Sequence, residues 1–552
     1  MNKILIIGGV AGGASAAARL RRLDEHAEII LFERGEHISF ANCGLPYYIG
    51  GTIVNQSDLT LQTPESFHAR FRVDVRVMHE VTRIDRSAKT VTVVNTLTKE
   101  TYIENYDKLI LSPGAEPIRP NIPGVDNERV FTLRNIPDTL RISNFIARQK
   151  ARSAAVVGAG YIGVEMAENL HSAGLEVTLI EMQNQVIAPL DYDMACEVHN
   201  HLREKGVHLI LSNGVTSVAE QAEGLDITLN NGCITADMLV LAIGVRPESS
   251  LAKDAGLVVN GRGCIQVDEH MCTSDENIYA VGDAVEITDY VTEHKGYIPL
   301  AGPANRQGRI AADCICGINR MYTGTQGSSV LKVFDLTVAA TGINEKTARQ
   351  LGILYEKSYT LSGSHASYYP GSAPMSIKTL FNSKSGKILG AQIVGSGGVD
   401  KRCDVFATAI RAGMTAGDLT ELELCYAPPY SSAKDPVNMA GFVIQNILEK
   451  QVKIFHWHDV ESLPRDGSVT LLDVRTPAEY QAVSIDGFIN IPLDELREHL
   501  DKLDREKPVY VTCQVGLRGY VASCILCQHG FDVYNLSGGN RLYQSIRISE
   551  SL

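Results

Sequence analysis

Long apolar runs are missing from this sequence. No stretch approaches the roughly 18 residues that a bilayer-spanning helix needs, and the first run, residues 4–7 (ILII), breaks at Gly8, too early for the core of a signal peptide. The expectation is a soluble, cytoplasmic protein without a membrane partner. Basic charge is also short: 51 Lys and Arg against 64 Asp and Glu leave a net charge of −13, without the positive field that gathers nucleic acid. The twelve cysteines lack the close pairing of a disulfide scaffold, which points to reduced thiols, each serving packing or chemistry. Cys524 and Cys527 form a C-x-x-C with no second pair, inside an apolar helical stretch, so no metal is expected. Tryptophan occurs once, at Trp457.

What is present is glycine, 48 of 552 residues, in a chain long enough for three to five domains. Two segments about 150 residues apart resemble each other: 4–13 (ILIIGGVAGG) and 154–163 (AAVVGAGYIG). Each reads as a strand, a glycine-rich turn and a helix of small residues, the unit that carries a dinucleotide pyrophosphate on a helix N-terminus. Gly158, Gly160 and Gly163 keep the full G-x-G-x-x-G spacing, and Glu181 ends the next strand, where its carboxylate accepts ribose hydroxyls. That acid favours NADH and leaves NADPH open. In the first unit Gly8 and Gly13 align, Val10 takes the middle glycine's place, and the acid is Glu33.

Residues 277–283 (NIYAVGD) read as a buried strand ending in Gly282-Asp283, able to set a carboxylate beside a flavin's ribityl chain. Residues 109–115 (LILSPGA) and 239–247 (LVLAIGVRP) read as strands leaving and re-entering the first nucleotide domain, with the second inserted in it. The fold class is therefore α/β: a discontinuous FAD domain (1–112 and 245–325), an NAD domain (113–244), an α+β domain (326–445) with alternating runs at 332–340 and 389–394, a linker (446–456) and a C-terminal α/β domain (457–552). His456 and His458 read as linker residues.

Two cysteines stand in settings suited to chemistry. Residues 39–48 (SFANCGLPYY) place Cys43 at a helix start, where a depressed thiol pKa is expected. No second cysteine follows before Cys196, so a disulfide intermediate must be mixed with a substrate thiol. Residues 513–518 (CQVGLR) form a loop between the strand 509–512 and a helix expected over 519–527, and its backbone N–H groups can surround an anionic sulfur. The C-x4-R spacing suits sulfur transfer, since phosphate-handling loops carry one residue more. Arg19 and Arg22 lie three apart on one helix face and can pair with substrate phosphates.

These motifs, in this order, resemble the flavin-dependent pyridine nucleotide–disulfide oxidoreductases over residues 1 to about 445, and most of all their single-cysteine branch, the coenzyme A disulfide reductases. The remainder, with 472–475 (LDVR) and the Cys513 loop, resembles a rhodanese domain. The fusion is similar to coenzyme A disulfide reductase–rhodanese proteins, NADH-dependent persulfide and polysulfide reductases among them.

The resemblance implies FAD, NADH and coenzyme A as bound groups, with reduction of coenzyme A persulfide, polysulfide or coenzyme A disulfide at Cys43 and sulfane sulfur carried on Cys513 beside Arg518. Cofactor contacts fall on Gly8, Gly9, Val10, Ala11, Gly12, Gly13, Glu33, Arg34, Asn42, Ser112, Pro113, Gly114, Gly282 and Asp283, and on Gly158, Gly160, Tyr161, Ile162, Gly163, Glu165, Glu181 and Gly244. Coenzyme A contacts fall on Ser15, Arg19, Arg22, Ser39, Asn42, Arg70 or Arg72, Asn305, Arg309 and Lys434. Tyr426 and either Tyr368 or Tyr369 reach the site from the other subunit of a homodimer, with 426–430 (YAPPY) and Lys434 in its interface. Val10 and 483–485 (VSI, where many rhodaneses have Gly-His-Ile) depart from the pattern. An NADH oxidase or peroxidase cycling Cys43 through sulfenic acid, and a non-catalytic sulfur carrier, are the alternatives.

Overall fold

The computed structural model describes residues 2–551, in two compact units: residues up to 184 with 206–327, and residues 185–205 with 328 onward.

The first unit contains two parallel five-stranded sheets. One has the order Ile278–Ala280, Lys108–Leu111, Lys3–Ile7, Glu28–Glu33, Asp74–Val77, and the other His208–Ile210, Glu176–Ile180, Ser153–Val157, Met238–Leu241, Val130–Thr132. The central strands are buried on both faces, so they read as unbroken apolar runs. The helices Ala11–Leu23 and Tyr161–Ser172 follow the two glycine turns. Small residues let Ala11–Leu23 press against Ala301–Ile315: a Cβ on Gly308 would lie 2.3 Å from the Gly12 carbonyl oxygen.

Each of the long strands read from sequence is broken by a glycine turn. Residues 109–115 stop at Leu111, and 239–247 divide into Met238–Leu241 and Val245–Pro247, the latter antiparallel to Ala115–Pro117. Gly114 (φ +79°) and Gly244 (φ +111°) occupy a backbone region that side chains disfavour, and there the chain leaves the sheet. Residues 277–283 form only the short strand Ile278–Ala280, followed by the 3₁₀ turn Gly282–Ala284.

In the second unit an antiparallel sheet runs Ser329–Val333, Leu336–Gly342, Ile388–Gly395, Pro374–Phe381, Glu356–Gly363. The run 332–340 is thus a hairpin, not one strand, because Phe334 adopts φ +56° and reverses the chain inside an uninterrupted alternation. A parallel sheet follows, Lys453–Phe455, Val533–Leu536, Val509–Thr512, Thr470–Asp473, Ile489–Asn490. Its first strand lies inside the stretch 446–456 read as a linker. Phe455 joins the buried cluster of Val460, Leu471 and Leu536 and so draws that stretch into the sheet. His456 and His458 are likewise engaged, His456 Nε2 lying 3.3 Å from Glu356 and His458 Nε2 accepting from Lys357 Nζ at 3.3 Å. Residues 185–205, within the stretch assigned to the NAD domain, belong to this second unit; their helix Tyr192–Glu204 has an almost wholly buried face.

Candidate active site

The two nucleotide units use one device twice. Gly8 (φ +98°) and Gly158 (φ +95°) turn the chain where a Cβ would strike the Ser112 or Ala242 carbonyl oxygen at 2.1 or 2.5 Å. Gly13 and Gly163 let helix meet strand, a Cβ there lying 1.9 or 1.8 Å from the carbonyl oxygen of Gly8 or Gly158. The strand-end acids tie each turn down: Glu33 accepts from Gly9 N (3.0 Å) and Gly35 N (2.9 Å), and Glu181 from Ala159 N (2.7 Å) and Gln183 N (2.9 Å). Gly160 differs, since a Cβ there would meet nothing within 4 Å among the described residues. It opens a face of the turn to a ligand, the position at which Val10 stands in the first unit.

The first cradle fits a flavin dinucleotide on the chemistry of its lining. Asp283 accepts no hydrogen bond among the described residues, and burial pushes its pKa up while Arg134 opposes the shift. Asn42 Oδ1 and the Tyr297 hydroxyl are buried without a partner. Such groups await the hydroxyls and ring polar atoms of a bound cofactor. Gln307 Oε1 accepts from Gly282 N at 2.8 Å and holds the turn that carries Asp283, a support that no sequence motif signalled. Arg34 pairs with Glu248 at 2.6 Å.

Cys43 is solvent-accessible and sits in the 3₁₀ turn Asn42–Gly44, before the five-residue helix Leu45–Ile49. The expectation of a depressed thiol pKa is not met by the chain's own groups. Partial desolvation pushes the Cys43 thiol up, and the carboxyls of Glu165 and Asp283 add to it, outweighing one short helical turn. Glu165, itself raised by burial, accepts a hydrogen bond from the Tyr47 hydroxyl at 3.2 Å. Tyr47 was not singled out from sequence, although its place four residues past Cys43 was the available signal.

The residues assigned to coenzyme A are unequal. Arg19 Nε is bound at 2.6 Å to the buried Asp313, which also holds Arg320 at 2.7 Å. Arg19 thus shares this single carboxylate with Arg320 inside the fold. Arg22, Arg70, Arg72 and Arg309 are exposed. Buried Arg21 gathers the Phe71, Ala27 and Arg72 carbonyl oxygens at 2.8–2.9 Å, and so fastens the Arg70–Arg72 turn beside the helix that carries Arg22. Ser15 bonds Asn305, and Ser39 takes φ +46°.

In the second unit the hydroxyls of Tyr368 and Tyr426 lie 2.8 Å apart and both side chains are exposed, while Tyr369 packs edge-on against His365. Lys434 is exposed. In the last sheet Cys513 is buried at the end of Val509–Thr512, and its Sγ accepts from Gly516 N at 3.1 Å. The helix begins at Leu517, not 519, so Arg518 stands in its first turn and not in the loop. Gly516 (φ +98°) makes the sharp entry that advances it. Arg518 donates from both Nη atoms to Glu479 (2.8 and 2.6 Å), holding that carboxyl down to about 2. Beneath the loop, buried Arg475 binds Asp473 at 2.7 Å and reaches Gln514 at 3.3 Å. No helix among the described residues is long and apolar enough to cross a membrane.

Comparison with known proteins matches residues 2–308 to the pyridine nucleotide-disulphide oxidoreductase family, 328–436 to that family's dimerisation domain and 456–545 to the rhodanese-like domain. The chain belongs to the pyridine nucleotide-disulphide oxidoreductases, FAD- and NAD-dependent enzymes, and carries a C-terminal rhodanese domain. It is 38% identical over 447 residues to the coenzyme A disulfide reductase of Staphylococcus epidermidis, which covers 81% of this chain and all of that protein. The crystal structure of reduced Bacillus anthracis CoADR-RHD shares 54% identity and superimposes with a TM-score of 0.96, covering 99% of this chain and 98% of that one. The NAD-dependent persulfide reductase from A. fulgidus shares 39% identity at a TM-score of 0.92, over 98% and 100% of the two chains.

Proposed function

We propose that this enzyme reduces coenzyme A persulfide, coenzyme A disulfide or polysulfide with electrons from NADH through Cys43, and that Cys513 carries the sulfane sulfur that feeds it. The observation that carries the reading is the pair of thiols in one chain: Cys43 accessible between carboxylates, and Cys513 with its sulfur under a backbone N–H.

Glu33, Asp283 and the Gly8–Gly13 turn would hold FAD, and Glu181 with the Gly158–Gly163 turn NADH. Bound FAD supplies a two-electron exchange between the nicotinamide and sulfur. The Cys43 thiolate attacks the substrate's sulfur–sulfur bond, which breaks to leave a mixed disulfide on Cys43 and one thiolate. Tyr426 and Tyr368, supplied by the second subunit of a homodimer, give that thiolate its proton, as a phenol remains a donor at neutral pH. Two electrons from NADH then restore the Cys43 thiolate and release the second thiol. Arg22, with Arg70 or Arg72, faces the coenzyme A phosphates. A reducing cytoplasm keeps the twelve thiols free.

The test is anaerobic NADH oxidation by the purified protein with coenzyme A disulfide, coenzyme A persulfide or polysulfide, with released sulfide measured. Sulfide formed one for one with NADH consumed supports persulfide reduction. Faster NADH consumption with oxygen or peroxide as sole acceptor overturns the reading in favour of an oxidase or peroxidase.

A further inference from the structure

The C-terminal helix Gly539–Ser551 holds the Cys513 loop at its head and is itself held further along by an element outside the rhodanese sheet. At the head, Asn540 N donates to the Cys513 carbonyl oxygen (2.7 Å) and Arg541 N to that of Gln514 (3.0 Å). Gly539 (φ +63°) backs the loop so closely that an added Cβ would lie 2.6 Å from the Cys513 oxygen. Further along, the helix Tyr192–Glu204 grips the same helix. Asn200 Nδ2 donates to the Ser545 carbonyl oxygen (2.8 Å) and hydroxyl (3.2 Å), and Arg203 to the Ser549 carbonyl oxygen (3.2 Å). His199 accepts from Val186 N at Nε2 (3.1 Å), which makes Nδ1 the protonated nitrogen that donates to the Ser549 hydroxyl (2.9 Å).

A second hold lies just before the helix. Ser537 Oγ accepts from Tyr359 N (3.3 Å) on the edge strand Glu356–Gly363, while Ser537 N donates to the Phe455 carbonyl oxygen (2.9 Å). Tyr359 is in turn fixed, its phenol donating to Asp193, which takes the Trp457 indole N–H at 3.3 Å and pairs with the fully buried Lys378 at 2.9 Å. The backbone that shapes the Cys513 loop is thus clamped from the dimerisation sheet and from the helix Tyr192–Glu204.

We infer that Asn200 and Ser537 are positioning residues for sulfur transfer at Cys513, setting its loop through the C-terminal helix. The inference rests on Cys513 as the sulfur carrier. With thiosulfate, the Cys513 thiolate attacks the outer sulfur, the sulfur–sulfur bond breaks, and sulfite leaves with the electron pair. Cyanide then takes the terminal sulfur of the persulfide as thiocyanate and returns the thiolate. A misplaced loop slows these in-line displacements more than it weakens thiosulfate binding.

The experiment compares Asn200→Ala and Ser537→Ala with the wild type, as full-length FAD-loaded protein, in thiosulfate–cyanide sulfur transfer and in NADH-dependent disulfide reduction. The expected result is a roughly tenfold fall in kcat for sulfur transfer, a thiosulfate KM within about twofold of wild type, and unaltered NADH-dependent turnover. Either variant suffices should the other not fold. Wild-type sulfur transfer in both variants, or an equal fall in both activities, overturns the inference. Absence of sulfur transfer in the wild type would sink the carrier reading itself, and the alkylation rate of Cys513 by iodoacetamide in the same variants then decides: a rate shifted from wild type supports positioning, and an unchanged one overturns it.

Discussion

Tyr368 and Tyr426, 58 residues apart in the chain, meet hydroxyl to hydroxyl at 2.8 Å. That contact raises the Tyr368 pKa, because its hydrogen bond to the Tyr426 hydroxyl holds the protonated phenol in place. Two phenols in hydrogen bond can pass one proton, so they should act as a unit. Tyr368→Phe and Tyr426→Phe are each expected to lower kcat with coenzyme A disulfide by about 100-fold, and the double variant should be no slower than the slower single one. Steady-state kinetics decide it, and multiplicative losses would show two independent roles.

Glu165 raises the Cys43 thiol's pKa from beside Tyr47. Glu165→Gln removes a carboxylate and should move the pH profile of Cys43 alkylation to lower pH, with a faster rate at pH 7. Tyr47→Phe leaves Glu165 without its phenol donor, which favours the neutral carboxyl. A profile unmoved in Glu165→Gln would assign the shift to desolvation and Asp283.

The strand-end acid Glu181 accepts from the backbone N–H groups of Ala159, in the glycine turn, and of Gln183, and its carboxylate stands where the adenosine ribose is expected. Glu181→Ser should raise the NADPH to NADH ratio of kcat/KM by about tenfold, the equivalent of roughly 1.4 kcal/mol. Initial rates with the two nucleotides measure it.

His199 is buried, with a pKa pushed down to about 3 by desolvation and then by Arg203. Unfolded, it titrates near 6.5. Between those values the unfolded chain binds a proton that the folded one refuses, so its contribution is whole above about pH 6.5 and falls away toward pH 3, by about 1.4 kcal/mol per unit at most. Thermal unfolding followed from pH 7 to 4 should show a drop that His199→Asn reduces; parallel curves for the two proteins would exclude His199 as its source.

Cys43→Ser is expected to abolish NADH-dependent reduction with every sulfur acceptor and to leave thiosulfate–cyanide transfer intact, and Cys513→Ser to abolish that transfer and slow NADH-dependent polysulfide reduction while leaving coenzyme A disulfide reduction unchanged. Loss of both activities in either variant would mean that the two thiols work in one obligatory sequence.

Local residue patterns carried most of the fold. Glycine spacing with a strand-end acid names a dinucleotide turn because backbone approach and helix N-termini admit few other residues, and Cys43 and the Cys513 loop were legible for the same local reason. The boundaries that failed, the hairpin inside 332–340 and the strand inside 446–456, depended on one left-handed residue, Phe334, and one buried side chain, Phe455, which hydropathy alternation does not encode.

The sequence by itself determined the family and the order of its domains, since these rest on short motifs whose chemistry is local. Only the tertiary structure decided that Arg19 and Arg320 share Asp313, that Cys43 lies in the field of Glu165, that Tyr368 and not Tyr369 bonds Tyr426, and that the C-terminal helix joins the Cys513 loop to Asn200. The reason is distance along the chain: these partners are separated by tens to hundreds of residues, and which charge or hydrogen bond each group meets is set by packing that no local pattern records.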